Sequence, residues 1–183
     1  MIFMDQNSSS NIGICGTALY GEKGKFGASC ARFPDASLFF FEAIGLTRLL
    51  PLIFKPLLLS ENECEKSGYV DQVIGAFFLV RKELFNDLDG FDERFFVYFE
   101  EVDFSLRANQ LGQRSYFLSD IANYHLGGGS SGSVVGKRLF YSLSSRLKYA
   151  KKHFRPTEYI LLIFLTILLE PFSRFFYSAI RLN

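Results

Sequence analysis

The first part of the chain alternates apolar runs with turn residues, a pattern that favours strands joined by short connections. Residues 12–20 form an apolar run that predicts a strand, and residues 26–32 predict a strand returning beside it. Residues 70–80 form another apolar run and predict a buried strand. Gly75 and Ala76 fall in its middle, where small side chains let another group approach the backbone closely.

Helical patterns separate these strands. Residues 36–50 and 81–88 predict helices, and residues 100–111 predict an amphipathic helix that stops at Gly112. Residues 113–124 then read as another strand.

The last part of the chain has a different pattern. Residues 134–154 predict a basic amphipathic helix, and residues 159–169 are an apolar run of eleven residues. A membrane span needs roughly 20 apolar residues, so we expect residues 157–180 to lie in the membrane interface, with a kink at Pro171. The alternatives are a complete span and a helix packed on the domain or on a lost partner. We therefore divide the chain into a domain, residues 1–133, and a helical tail, residues 134–183.

Charge strengthens the membrane interpretation. The net charge is only +1, but residues 1–136 hold 11 basic and 17 acidic side chains, whereas residues 137–183 hold 9 and 2. A basic, apolar tail on an acidic body predicts contact with an anionic membrane surface. Nucleic acid is not expected as a partner, because the basic residues are interleaved with long apolar runs.

The cysteines and the N-terminal residues indicate the cellular compartment. Cys15, Cys30 and Cys64 are odd in number and contain no Cys-x-x-Cys spacing, so neither a disulfide framework nor a zinc knuckle is implied. Residues 1–10 lack a cationic start and a long apolar run, so no secretory signal is expected. A reducing compartment follows.

The segment from residue 90 to residue 107 carries the candidate chemistry. It sets seven charged side chains among five Phe and one Tyr, which predicts carboxylates at the rim of an aromatic cleft. Glu100 and Glu101 fall in the first turn of the predicted helix, where the helix dipole favours ionised carboxylates. Such a carboxylate can accept a proton from a substrate hydroxyl, although acidic residues also occur at helix starts without any function.

Four further features suggest a local contact or a binding role. Asp103 and Arg107 are spaced to pair on one helix face. His125 is either a metal ligand or a structural residue at a strand end. The Gly/Ser run 127–133 is a lid, a phosphate-binding loop or a linker, and it does not match a nucleotide P-loop. Asp87-Leu88-Asp89 has the form of a metal–nucleotide motif but fits the turn before Gly90 better.

Several of these motifs, taken in order, resemble family 2 glycosyltransferases, and the rhamnosyltransferase-like branch most of all. The resemblance runs from about residue 10 to about residue 155. The matching motifs are residues 73–82, 88–93, 96–103, Leu106-Arg107 and His125.

The resemblance implies an α/β fold of the GT-A type, with a Rossmann-like mixed sheet flanked by helices. It also implies inverting transfer from a nucleotide-sugar donor to a glycan or lipid-linked acceptor in cell-surface polysaccharide synthesis. It implies that Glu101 is the catalytic base and that His125 binds a divalent metal, Mn²⁺ or Mg²⁺. It further places Glu100, Asp103 and Arg107 on the acceptor side, and it places Gly75 and Ala76 at the border of the sugar pocket. The implied location is cytoplasmic, peripheral to the inner face of the cell membrane.

The sequence also departs from the family pattern. The family's first nucleotide-binding strands and its metal-holding Asp-x-Asp have no counterpart here, so we expect an N-terminally truncated fold that needs a complementing N-terminal half. We expect the isolated chain to be inactive and fragile, because an open sheet exposes an edge. A non-catalytic remnant or assembly subunit is the main alternative, and a membrane-anchored structural protein is a third.

Overall fold

The computed structural model describes residues 2–7, 10–126 and 135–181. The strands in these residues are β1 (Ile12–Tyr20), β2 (Cys30–Ala31), β3 (Gly68–Val70), β4 (Gln72–Val73), β5 (Leu79–Val80) and β6 (Arg114–Tyr124). The helices are α1 (Ile2–Gln6), α2 (Ala36–Ala43), α3 (Leu46–Leu49), α4 (Lys82–Asp87), α5 (Glu100–Gln110), α6 (Val135–His153), α7 (Pro156–Phe164) and α8 (Glu170–Arg181). The predicted strand 12–20, the helix 100–111 and the basic helix 134–154 are thereby confirmed to within a residue or two at each end.

A mixed sheet forms the centre of the fold, in the order β3-β6-β1-β5. The long strands β1 and β6 run parallel, whereas β3 and β5 pair antiparallel to them at the two edges. Ile14 packs against Phe104 of α5 on one face, and the neighbouring Cys15 packs against Met4 of α1 on the other. Because β1 is buried on both faces, its sequence is a continuous apolar run. The architecture is α/β, with a mixed sheet flanked by helices, and is compatible with a Rossmann-like fold.

The prediction of one strand over residues 70–80 was wrong. That stretch contributes the end of β3, then β4 in a separate two-stranded sheet with β2, and then β5 in the main sheet. Gly75 and Ala76 lie in the turn between β4 and β5. A buried apolar run shows where the core is, but it does not show where the chain leaves one sheet for another.

Two further boundaries differ from the predictions. Residues 26–32 supply only the two-residue β2, which pairs with β4. Their contact with β1 in the sheet pattern is a single bridge between Phe26 and Tyr20. The helix predicted over residues 36–50 is divided at Gly45, which has a left-handed φ of 80°. Glycine adopts that conformation without a steric penalty, and it ended a helix that the apolar pattern alone would have continued.

The tail is helical and packs on the domain. A π-helical turn, Leu165–Leu169, joins α7 to α8, so the irregularity falls in the turn before Pro171. Such a turn suits that position, because proline offers no backbone N–H to the preceding turn. Among the described residues, no helix combines the length and the apolarity that crossing a membrane requires.

A second core cluster joins the tail to the helix that begins at Glu100. Its buried members come from α2, the segment before α5, α5 itself, α6 and α7: Leu38, Phe39, Phe95, Phe99, Val102, Tyr149, Ala150 and Leu162. The start of α5 is therefore fixed between the main sheet and the tail helices.

Candidate active site

The candidate site begins at a sharp bend before α5. Tyr98 and Phe99 are consecutive residues with left-handed φ values of 65° and 71°. A residue other than glycine loses about 1–2 kcal/mol of stability in this conformation, so surrounding contacts must hold the bend. Phe99 supplies them, because its buried ring lies 6.0 Å from the ring of Phe39 and 5.5 Å from that of Tyr149.

Glu101 follows this bend and faces the turn between β4 and β5. A Cβ atom placed on Gly75 would lie 3.6 Å from both Cδ and Oε1 of Glu101, so the carboxylate sits against the glycine backbone. The other oxygen, Oε2, is buried and has no hydrogen-bond partner in the part of the chain that the structure describes. The fold thus brings together Glu101 and Gly75, which are 26 positions apart in the sequence.

The environment of Glu101 favours its protonated form. Burial raises the pKa of the Glu101 carboxyl, and the neighbouring charge of Glu100 raises it further. Backbone N–H groups of Glu101, Gly75 and Val102 oppose the shift without cancelling it. A carboxylate with a raised pKa and an unpartnered oxygen is arranged as a general base requires.

Glu100 shares part of this environment. Its Oε2 atom is also buried without a hydrogen-bond partner in the described residues. Ala76 lies exposed in the turn beside Gly75. The structure therefore places Glu100, Glu101, Gly75 and Ala76 at one locality, and their contacts with a substrate stay predictions.

Asp103 lies on the other side of α5, in a buried ionic cluster. It accepts hydrogen bonds from Arg107 Nε at 2.8 Å, from His153 Nε2 at 2.7 Å and from Lys152 Nζ, whose ion-pair distance is 2.6 Å. Burial acts to raise the pKa of the Asp103 carboxyl, but hydrogen bonds from His153, Lys152 and Arg107 outweigh burial and hold it below its ordinary value.

Arg107 connects this cluster to the turn at residues 88–90, where the aromatic segment, residues 90–99, begins. Its guanidinium donates to the carbonyl oxygens of Leu88 and Gly90, at 2.7 and 2.8 Å. The pairing of Asp103 with Arg107 is thus confirmed. Both side chains use their polar atoms to hold protein elements together, and their contact with an acceptor stays a prediction.

His125 comes directly after β6. Its backbone N–H donates to the Tyr20 carbonyl at 2.9 Å, and its side chain is exposed. In the part of the chain that the structure describes, no group of three or more His, Cys, Asp or Glu side chains is placed to hold a metal ion. Those residues do not fit a complete metal site, so no chemical step is assigned to a metal here. The Gly/Ser run 127–133 lies outside the described residues.

The basic helix α6 forms a wall beside the aromatic segment, which the sequence pattern did not indicate. Ser145 Oγ donates to the Val97 carbonyl at 2.8 Å, and Arg138 Nε lies 3.4 Å from the Tyr98 hydroxyl. The polar residues of α6 gave no sequence signal for this contact, because basic residues on an amphipathic helix are usually solvated.

The chain is similar to the rhamnosyltransferase WbbL of Escherichia coli strain K12, with 31% identity over 80 residues. This match covers 44% of the chain and 30% of that protein. No family model matches the chain, and no solved structure matches it. The chain therefore has a distant, glycosyltransferase-like relationship.

Proposed function

We propose that the chain is the catalytic and acceptor-side part of a family 2 glycosyltransferase with a GT-A fold. The reaction is inverting, metal-dependent transfer of a sugar from a nucleotide-sugar donor to a glycan or lipid-linked acceptor in cell-surface polysaccharide synthesis. Rhamnose is the first donor sugar to test, since the relative is a rhamnosyltransferase. The single observation that carries the proposal is the Glu101 carboxylate, buried against Gly75 with one unpartnered oxygen.

Glu101 has the chemistry that the reaction needs. The acceptor oxygen attacks the anomeric carbon while its proton passes to Glu101, and the bond to the diphosphate breaks with its electron pair leaving on the diphosphate oxygen. A raised pKa makes Glu101 a stronger base towards a hydroxyl than an exposed carboxylate would be. The left-handed bend at Tyr98 and Phe99 fixes the direction from which Glu101 approaches.

The proposed enzyme also needs a metal site and a nucleotide site. His125 is one proposed ligand for Mn²⁺ or Mg²⁺, and the remaining ligands are assigned to a complementing N-terminal half. Titration of the folded chain with Mn²⁺ and a nucleoside diphosphate tests this ligand: binding that survives His125→Ala unchanged contradicts it.

We further propose a cytoplasmic enzyme held at the inner face of the cell membrane by its tail. Support comes from the tail helices, where eight large apolar side chains are exposed. We call this set the apolar stripe: Ile160, Leu161, Phe164, Ile167, Leu168, Leu169, Phe172 and Phe175. Leu162, Leu165, Thr166 and Glu170 of the same segment are buried, so the segment has one side on the domain and one uncovered side.

Gene replacement in the source cell tests the transferase proposal, because any complementing half is then present. We expect Glu101→Gln to reduce transfer of labelled sugar to membrane acceptors by about 10²–10⁴-fold, since the amide cannot take the proton. The matched control is Glu93→Gln, which removes an exposed carboxylate from the same segment and is expected to leave transfer unchanged.

A Glu101→Gln variant with full transfer would contradict the assignment of the base. If transfer depends on the presence of the chain but not on Glu101, the non-catalytic assembly subunit becomes the better interpretation.

A further inference from the structure

A basic groove lies outside the candidate active site, between the segment around Arg94 and the end of α6. It has a volume of about 450 Å³, within the range of roughly 300–1,000 Å³ typical of ligand pockets. Its lining consists of four cationic side chains and one aromatic side chain: Arg94, Phe95, Lys148, Lys151 and Lys152. We call it the basic groove.

The positive charge of the groove is only partly neutralised. Asp92 accepts from Arg94 Nε at 2.8 Å and from Lys152 Nζ at 2.7 Å, so one carboxylate serves two cations. Lys148 donates to the Arg94 carbonyl oxygen at 2.8 Å and forms no ion pair among the described residues. Lys151 is exposed and has no carboxylate partner there either. The ammonium groups of Lys148 and Lys151 are therefore not neutralised by a carboxylate among the described residues.

Part of the groove is fixed before any ligand arrives. Lys148, Lys151 and Lys152 are three and four positions apart, which places them on one face of α6. Lys152 is held by Asp92 and by the buried Asp103, and Phe95 forms an apolar floor that is 5% exposed. Only the exposed lysine side chains are therefore left to be ordered by a ligand, which limits the entropic cost of binding.

The residues that line the groove do not include Glu100, Glu101, Gly75 or Ala76. Along α6, Arg138 lies near Tyr98, whereas Lys148 and Lys152 contact Arg94 and Asp92. These lysines follow Arg138 by 10 and 14 residues, which is roughly 15–21 Å along a helix axis.

We propose that the basic groove binds a phosphate or diphosphate group, held by Lys148 and Lys151 with Arg94 at the rim. A phosphate monoester carries up to about two negative charges at pH 7 and three acceptor oxygens, which matches two unneutralised ammonium groups. The group is either a lipid headgroup or part of a soluble molecule. The proposal does not depend on sugar transfer.

Two measurements on the full chain distinguish the sources. One is calorimetric titration with inorganic pyrophosphate, and the other is sedimentation with phosphatidylglycerol vesicles against phosphatidylcholine vesicles. The test variant is Lys148→Gln combined with Lys151→Gln. The matched control is Lys55→Gln combined with Lys66→Gln, which removes the same charge from exposed positions of the body.

We expect the groove variant to bind at least one of the two probes about tenfold more weakly than the control does. Weaker pyrophosphate binding identifies a soluble phosphate, whereas a loss confined to phosphatidylglycerol vesicles identifies a headgroup. Replacement of both lysines by Arg keeps the charge and is expected to retain binding.

Equal losses in the groove variant and the control would overturn the proposal, because they would show only the effect of net charge. So would a folded wild-type chain that binds neither probe. Circular dichroism and thermal unfolding of each variant establish that it is folded.

Discussion

At the scale of single residues, Glu101 stands out because its environment opposes its charge. Its raised pKa means that the folded chain binds this proton more tightly than the unfolded chain does. The free energy of unfolding therefore falls as pH rises from the ordinary pKa of a glutamate through the folded value. A group that weakens the fold at neutral pH is expected where function requires it.

This argument predicts that Glu101→Gln stabilises the chain. We expect the free energy of unfolding at pH 7 to rise by about 1 kcal/mol, because a neutral amide of similar size avoids the desolvation of a charge. Urea unfolding measures the change, and the gain should disappear below the ordinary pKa of glutamate, where both states bind the proton. Glu93→Gln serves as the control at an exposed site. A destabilised Glu101→Gln at pH 7 would show that the ionised carboxylate has partners that stabilise it.

At the scale of elements, the part of the tail that follows α6 has two different sides. Its inner side places Glu170 against Arg146 of α6 in a buried ion pair, and Arg146 also donates to Thr166 Oγ1 at 2.7 Å. The second carboxylate oxygen of Glu170 accepts from Arg174 Nη2 at 2.5 Å. Because Glu170 and Arg146 are buried between α8 and α6, the removal of one of them leaves the other without compensation.

We predict that Glu170→Ala loosens the tail from the domain. Breaking a buried ion pair costs about 3–5 kcal/mol, here concentrated on the contact of α8 and the π-helical turn with α6. Limited proteolysis should show faster cleavage within residues 156–175. Arg174→Gln removes the half-exposed partner of the same carboxylate and should change the rate little, since such pairs contribute about 1 kcal/mol or less. Equal cleavage of both variants would contradict the role given to Arg146.

At the scale of the whole molecule, charge and apolarity are divided between the body and the tail. The body is acidic, whereas the tail is basic and carries the apolar stripe on the side that the domain leaves uncovered. An interfacial helix needs both features, because apolar burial supplies affinity and basic residues attract anionic lipid.

We predict that the chain binds anionic vesicles through this stripe. Phe164→Ser combined with Ile167→Ser should weaken vesicle flotation by at least about tenfold, because each loses roughly 1.5 kcal/mol or more of apolar burial. Leu111→Ser is the control, since Leu111 on the body is 57% exposed and Phe164 is 58% exposed. Similar flotation of the two variants would show that the stripe is not the contact surface.

Several features followed from the sequence alone, because they depend on short-range interactions. The buried strand β1, the amphipathic helix α5 with its stop at Gly112, and the basic helix α6 were all predicted close to their observed bounds. The pair of Asp103 and Arg107 also followed, since residues four apart on a helix lie side by side. These features need only the helical or strand period and the side chains of near neighbours.

The tertiary structure alone decided how the site is assembled. It divided residues 70–80 between two sheets and so brought Gly75 against Glu101, and it set Lys152 and His153 on Asp103 from the far end of α6. The raised pKa of Glu101 and its unpartnered oxygen depend on burial, which no local pattern reports. Such properties arise from contacts between residues that are dozens of positions apart, and those contacts exist only once the strands and helices have packed.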